Sequence, residues 1–433
     1  MGRAFGSASV AAVLLAAASA ARAADLRVPG DFPDIPQAVN AARPGDRILL
    51  GAKTFRGPYT IQKDGIEIVG SRGTRILGWR PSRTDERGML ALVVEGDGVV
   101  LRGITFERMG VTVSGDGATV EGCVFRRIEA TSWRPSALYV VGDGAVVTGN
   151  RLIRPDRDPA GMQVHGDRPV VAGNSIAVSR GATGLFVNGA GARVEDNDVS
   201  TRGWASGIRM FTRGGTVSSN RVRGSNLVVS GDDNVVDGND VGGAGLGQAS
   251  IRVEGDGNAL LGNGVVGGDD TAFLVMGDGN LVAGNAATGI GSIVRDAGVG
   301  HGFVARGSDN VLERDVVDGC AGEAFRIAGN DAWRAVRDPA TAELQWTRVT
   351  LGPGISVTGC TGTGAGTCGL GNYTFETSVT DSTFSGNGMD VVDCGGFAVF
   401  EDNTWGTGGP GIEGTGIGEP SGDTFGFSMP GGD

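Results

Sequence analysis

Short runs of alternating apolar and polar residues fill most of the chain, and glycine-centred turns separate them. One phrase recurs: four residues of alternating character, Gly-Asp-Gly or a variant, two apolar residues, then Gly-Asn. It reads LYVVGDGAVVTGN over Leu138–Asn150, MQVHGDRPVVAGN over Met162–Asn174 and IRVEGDGNALLGN over Ile251–Asn263. Further copies span Leu185–Asn197, Leu227–Asn239 and Phe273–Asn285, with looser ones from Val93, Val111, Ile208, Phe303 and Phe325. The closing asparagine falls at 150, 174, 197, 220, 239, 263 and 285, so successive steps are 24, 23, 23, 19, 24 and 22 residues.

A unit of about 23 residues is too short for helical-pair repeats and too long for a nine-residue calcium roll. Three short apolar runs per unit suit one coil of three strands, each stacked on the next coil at the strand spacing of ~4.8 Å. The expected fold is therefore an all-β solenoid, a single-stranded parallel β-helix of about a dozen such coils, in which only stacking buries the inward side chains. Asn150, Asn174, Asn197, Asn220, Asn239, Asn263 and Asn285 should then form an internal amide ladder, with a second one at Asn234, Asn258, Asn280 and Asn310. Residues 34–42 predict a capping helix over the first coil. Asp34 suits the N-cap, Pro36 the first turn, and Ile35, Ala38, Val39 and Ala42 share one face. Arg47–Leu50 is expected to start the first strand. Ile355–Gly359, Val379–Asn387 and Phe397–Trp405 read as later strands, with the β-helix covering 24–405 and a Gly-rich acidic tail or cap over 406–433.

Residues 1–23 read as a signal peptide: Arg3, an apolar run from Val10 to Ala18, and Ala21-Arg22-Ala23 as the cleavage site. That run is too short to span a bilayer, so a secreted or periplasmic protein without a membrane span is expected. The five cysteines include no CxxC pair and there are 2 histidines, which argues against zinc. Only Cys360 and Cys368 are close enough in sequence to suggest a bridge, and the sequence leaves that pairing open. The net charge of −12 disfavours nucleic acid as a partner. The charge is unevenly spread. Residues 126–223 hold 14 Arg against 8 acids (14 − 8 = +6), and residues 224–338 hold 7 Arg against 17 acids (7 − 17 = −10).

The opening DFPDIPQAVNAARPGDRILLGAKTFRGPYTI, followed by DGIEIVG, resembles the start of bacterial pectate-lyase-like β-helix proteins. The repeats resemble the broad right-handed β-helix superfamily, including its periplasmic and carbohydrate-binding members, across 25–405. The resemblance implies right-handed coils and a polymer bound along one strand face. It does not imply one reaction, because lyases, hydrolases, epimerases and non-enzymes share this fold.

In the four-residue strand before each Gly-Asp-Gly, alternation places the second and fourth residues of the strand on the outside and the first and third, such as Ile251 and Val253, inside. The outward set comprises Tyr139, Gln163, His165, Phe186, Asn188, Arg209, Phe211, Arg252, Glu254, Arg306 and Arg326. Two candidate centres follow. Tyr139, His165 and Arg209, with Asp156 and Asp158 on the preceding loop, offer an acid, a base and a cation for proton abstraction beside a uronate carboxylate. The alternative is Asp269-Asp270, Gly300-His301-Gly302 and Arg326-Ile327, which resembles the polygalacturonase order. Here Gln248 to Ser250 stand where that family has Asn-Thr-Asp, and Ala328 where it has Lys. Arg252, Glu254, Arg306 and Trp204 are candidate substrate-binding residues, and Trp133, Trp204 and Trp333 offer indoles for stacking on sugars. No cofactor is expected, calcium at the Gly-Asp-Gly turns being the alternative. The leading reading is an exported protein that binds an acidic polysaccharide and, as an enzyme, cleaves or epimerises it. The rival is a non-catalytic surface, envelope-maturation or interaction protein that uses the solenoid as a rigid scaffold.

Overall fold

The computed structural model describes residues 23–78, 90–108, 110–128, 136–153, 160–178, 181–201, 205–243, 248–291 and 300–328, together with the strands and adjoining positions between 330 and 425 named below. The signal sequence, Asp156, Asp158, Trp133, Trp204 and Cys394 lie outside the described residues.

Three parallel sheets run the length of the chain, as the repeat predicts. One coil shows the plan: Ser136–Val141 belongs to the first sheet, Val146–Thr148 to the second and Arg151–Ile153 to the third. Among the described residues these sheets contain 15, 16 and 16 strands, so the stack continues past the dozen regular coils at both ends. At the start, Asp25–Val28 precedes the helix and pairs in register with Arg47–Leu50, which is therefore the second strand and not the first. At the other end, Pro410–Gly411 and Thr424–Phe425 still pair with the preceding coil, beyond the Gly406 boundary. One departure from the repeat is a hairpin of Asn330–Arg337 and Leu344–Leu351, paired antiparallel and inserted between two coils.

The helix spans Ile35–Ala41, where Asp34 Oδ1 accepts the Gln37 N–H at 2.9 Å. Ile35, Ala38, Val39 and Ala42 are buried, which matches the apolar face read from their spacing. Within the coils the inward positions stack like on like. Leu138, Met162, Leu185, Ile208, Leu227 and Ile251 form one fully buried column, continued by Phe273, Phe303 and Phe325. Phe273 and Phe303 stack at 4.4 Å, and Phe303 and Phe325 at 5.2 Å.

The Gly-Asp-Gly turns hold more than conformational punctuation. Gly144 takes φ +64, and a Cβ at Gly142 would lie 2.1 Å from the Gly115 carbonyl of the coil before, so both positions require glycine. Between them the Asp143 N–H donates to Asp116 Oδ1 at 2.8 Å, and Asp167 N–H donates to Asp143 Oδ1 at 2.8 Å. A surface ladder of aspartates thus ties turn to turn.

The internal asparagine ladder forms. Asn197 donates from its backbone N–H and its Nδ2 to Asn220 Oδ1, and Asn220 repeats both bonds to Asn239. Each Nδ2 also donates to a carbonyl of the preceding coil, Val194 in the case of Asn220. The second column forms as well, with Asn234, Asn258, Asn280 and Asn310 linked in order. The first column does not end at Asn285. Asp315 follows it, fully buried, and its Oδ1 accepts both Asn285 N–H groups at 2.8 and 2.9 Å. Its Oδ2 takes the place where each asparagine carries a donating amide, and it finds no hydrogen-bond partner among the described residues. Cys360 continues the column as a free, buried thiol, so no bridge joins it to Cys368.

Removing one rung should be costly. Asn220→Ala leaves the Asn197 backbone N–H and one Nδ2 hydrogen buried without their acceptor, at about 1–3 kcal/mol for each group, read as a lowered urea midpoint. Asp315 should make stability fall with pH. Burial pushes its carboxyl up to about 7 from 3.8, so the folded chain holds a proton that the unfolded chain releases. Its stabilising protonation is complete below 3.8 and is lost as pH rises to about 7. Asp315→Asn supplies an amide at every pH. It should melt with the native protein at low pH and above it at pH 8; equal melting at both values would contradict this account.

Candidate functional site

The outward side of the first sheet carries two columns, set by the parallel register. Thr112, Tyr139, Gln163, Phe186, Arg209, Val228, Arg252, Leu274, Val304 and Arg326 form one. Val141, His165, Asn188, Phe211, Ser230, Glu254, Met276, Arg306 and Ala328 form the other. Every outward residue named from strand alternation lies in one of these two columns.

Four rings cross between the columns in a continuous row. Tyr139 meets His165 at 5.2 Å between centroids, His165 meets Phe186 at 5.4 Å, and Phe186 meets Phe211 at 5.7 Å. The rings are tilted by 47°, 39° and 53°, so each presents part of a face or edge to the outside. The Arg209 guanidinium lies 4.9 Å over the Phe211 ring and closes the row with a positive charge. His165 is half-buried between Tyr139 and Phe186. Its Nε2 is buried with no hydrogen-bond partner among the described residues, and burial lowers its pKa below the usual 6.5. The imidazole is therefore neutral at neutral pH and able to accept a proton.

Tyr139 and His165 do come together, but Arg209 does not join them. Its strand is three places along the sheet from that of Tyr139, about 14 Å at the usual strand spacing. The three residues form one end and the other of a row, not one compact centre.

The second constellation is tighter than its sequence suggested, and it contains a residue the sequence reading did not pick out. Glu323 is 6 % exposed, and its Oε2 lies 3.5 Å from both His301 Nδ1 and Arg326 Nη1. His301, itself 7 % exposed, accepts the Glu323 backbone N–H at Nδ1 over 3.1 Å. Glycine makes the room: a Cβ at Gly322 would lie 2.8 Å from His301 Nδ1, and one at Gly302 would lie 2.5 Å from Val317 and from the Ala324 carbonyl. Backbone bonds from Ala272 N–H to the His301 carbonyl and from Gly302 N–H to the Glu323 carbonyl put Thr271, His301 and Glu323 at one position of three successive coils. Asp269 and Asp270 precede that column, half-buried, and Asp270 Oδ1 accepts the Thr271 hydroxyl at 3.2 Å.

The candidate substrate-binding residues fare differently. Arg252 is bound to Glu254 two residues along its own strand, and Glu254 also accepts Ser230 Oγ at 3.0 Å. That pair presents no net charge. Arg306 is exposed and makes no ion pair with a described residue. Trp204 lies outside the described residues, as do 129–135 and 292–299. Among the described residues no group of three or more His, Cys, Asp or Glu is placed to hold a metal ion. Nor do the buried thiols suit a nucleophile, since burial pushes Cys123 and Cys360 up to about 12 and Cys320 up to about 11. No helix among the described residues is long and apolar enough to cross a membrane.

No protein-family model matches the chain, and neither does a curated protein. Solved structures match its backbone. A PL6 family alginate lyase, AlyGC, is similar at a TM-score of 0.50 and 12 % identity, over 91 % of this chain and 74 % of that one. The periplasmic alginate epimerase AlgG is similar at a TM-score of 0.45 and 12 % identity, over 80 % of each chain. A DFA-IIIase from Arthrobacter chlorophenolicus A6 is similar at 0.42 and 13 % identity, over 80 % of this chain and 94 % of that one. The likeness to the lyase is one of parallel β-helix folds, and at this identity it concerns the fold alone.

The buried setting of His165 can be checked directly. Its imidazole should titrate below the usual 6.5 by NMR, and Phe186→Ala, which uncovers one side of the ring, should move the midpoint back up. A midpoint unmoved by that substitution would show that the ring row does not set it.

Proposed function

We propose that the chain is an exported protein that binds an acidic extracellular polysaccharide along the outward face of its first sheet and processes it by proton abstraction beside a uronate carboxylate. The observation that carries this reading is the row Tyr139–His165–Phe186–Phe211, closed by Arg209, on the outward side of the first sheet. Ring faces and edges suit the apolar sides of sugar rings, and the guanidinium suits a carboxylate. The basic balance of residues 126–223 favours a polyanion over these coils.

In this reading His165 is the base, because burial keeps it unprotonated at neutral pH. Tyr139, in ring contact with it, is the acid toward the leaving oxygen. Asn188, the register partner of His165 on the next strand, and Gln163, two residues before it on the same strand, supply the amide donors for the reacting carboxylate. Arg209 holds a carboxylate further along the polymer. Such a centre serves both β-elimination and epimerisation, which share the abstraction step.

Alginate is the first polymer to test, since an alginate lyase shares the backbone fold; pectate and glycosaminoglycans follow. Lyase activity is read as the absorbance of unsaturated uronate, hydrolysis as reducing ends, and epimerisation as solvent deuterium gained by the polymer. His165→Ala should lower the rate by about 10²–10⁴-fold. Absence of binding, product and exchange on all these polymers would leave the rigid-scaffold reading in its place.

A further inference from the structure

The face is not uniformly charged along its length. Beyond Arg209, the strand Leu227–Ser230 places Val228, which is buried, and Ser230 on this side, Ile251–Glu254 carries the self-neutralised Arg252–Glu254 pair, and Phe273–Met276 turns out Leu274 and Met276. Cationic residues return on the next two strands. Arg306 stands in one column and Arg326 in the other, on neighbouring strands where Val304 pairs with Arg326 and Arg306 with Ala328. Two guanidiniums placed diagonally on one face repel. Glu323, buried behind Arg326, offsets one of these charges, while Arg306 has no ion pair with a described residue. Arg306 therefore carries the uncompensated charge here, beside the Glu323-paired Arg326, and can take an anion from outside.

We infer that Arg306 and Arg326 form a second anchor for carboxylates of an anionic glycan, so that one chain lies along the solenoid and is held at two points with a neutral stretch between. Glu323 acts as a positioning residue that fixes the Arg326 side chain on the outward face. This rests on the reading of the face as an acidic-polysaccharide site. Arg306 lies four strand places beyond Arg209, and Arg326 five, which is about 19 and 24 Å at ~4.8 Å per place. A uronate oligomer shorter than that span can occupy either anchor but not both.

Size-defined oligoalginates, from disaccharide to decasaccharide, test this by calorimetry on the full chain. Short oligomers should bind weakly with two per protein. Oligomers that reach both anchors should bind one per protein, about a hundredfold more tightly. Arg306→Ala changes an exposed residue, so folding should survive. It should remove the step with length and one of the two short-oligomer sites, and Arg306→Lys should restore most of both. Neutral oligosaccharides of equal length should show no step. A smooth rise of affinity with length, or a step that Arg306→Ala leaves in place, overturns the second anchor and leaves the proposed function standing. Failure of size-defined alginate, pectate and glycosaminoglycan oligomers alike to bind overturns both.

Discussion

Everything in this molecule follows from stacking in register: each residue lies one strand spacing from its counterpart in the next coil, so it must tolerate a near-copy of itself. For apolar side chains this costs nothing, and columns such as Leu138–Met162–Leu185 fill the core. For buried polar groups the condition is severe. A primary amide meets it because it carries donor and acceptor in one group, and Asn150 to Asn285 pass the same pair of bonds down the stack. A carboxylate can accept but not donate. Asp315 therefore sits at the place where the asparagines stop, with thiol, hydroxyl and amide side chains (Cys360, Ser382 and Asn403) following it.

The same constraint shapes the outside. Aspartates recur at most of the turns, with Ala190, Arg213 and Ser308 among them, and neighbouring like charges should repel. Each carboxylate instead accepts the N–H of the following turn, which ties the turns together between two sheets. Elsewhere charges alternate, as in Arg102 between Glu67 and Glu121, or Arg221 paired with Asp240. Rings also tolerate their own kind, and the row from Tyr139 to Phe211 is the outward equivalent of the Phe273–Phe303–Phe325 stack within.

Features that repeat could be read from the sequence, and features that occur once could not. The period gave the coils, the inward and outward assignments and both asparagine columns, because each is confirmed by its own recurrence. Asp315 escaped because it lies 30 residues past Asn285, after a lengthened coil, and its residue type differs from that of its column. Glu323 escaped because it stands in no repeated phrase; only the fold brings it to His301 and Arg326. Arg252 looked available because alternation gives a side but not a partner, and Glu254 shares its side two residues on. Arg209 looked close to Tyr139 because a linear sequence conceals how far three coils extend.

The Arg209 and Arg306 strands are joined only by whole coils, each adding the same rise. Gain or loss of a single repeat in the neutral stretch would therefore shift the two arginines by one fixed increment without altering the surroundings of either. Such a gauge is adjustable by gene duplication alone, and the asparagine step that shortens to 19 residues at Asn239 shows that coils here already vary in circumference while the rise is preserved.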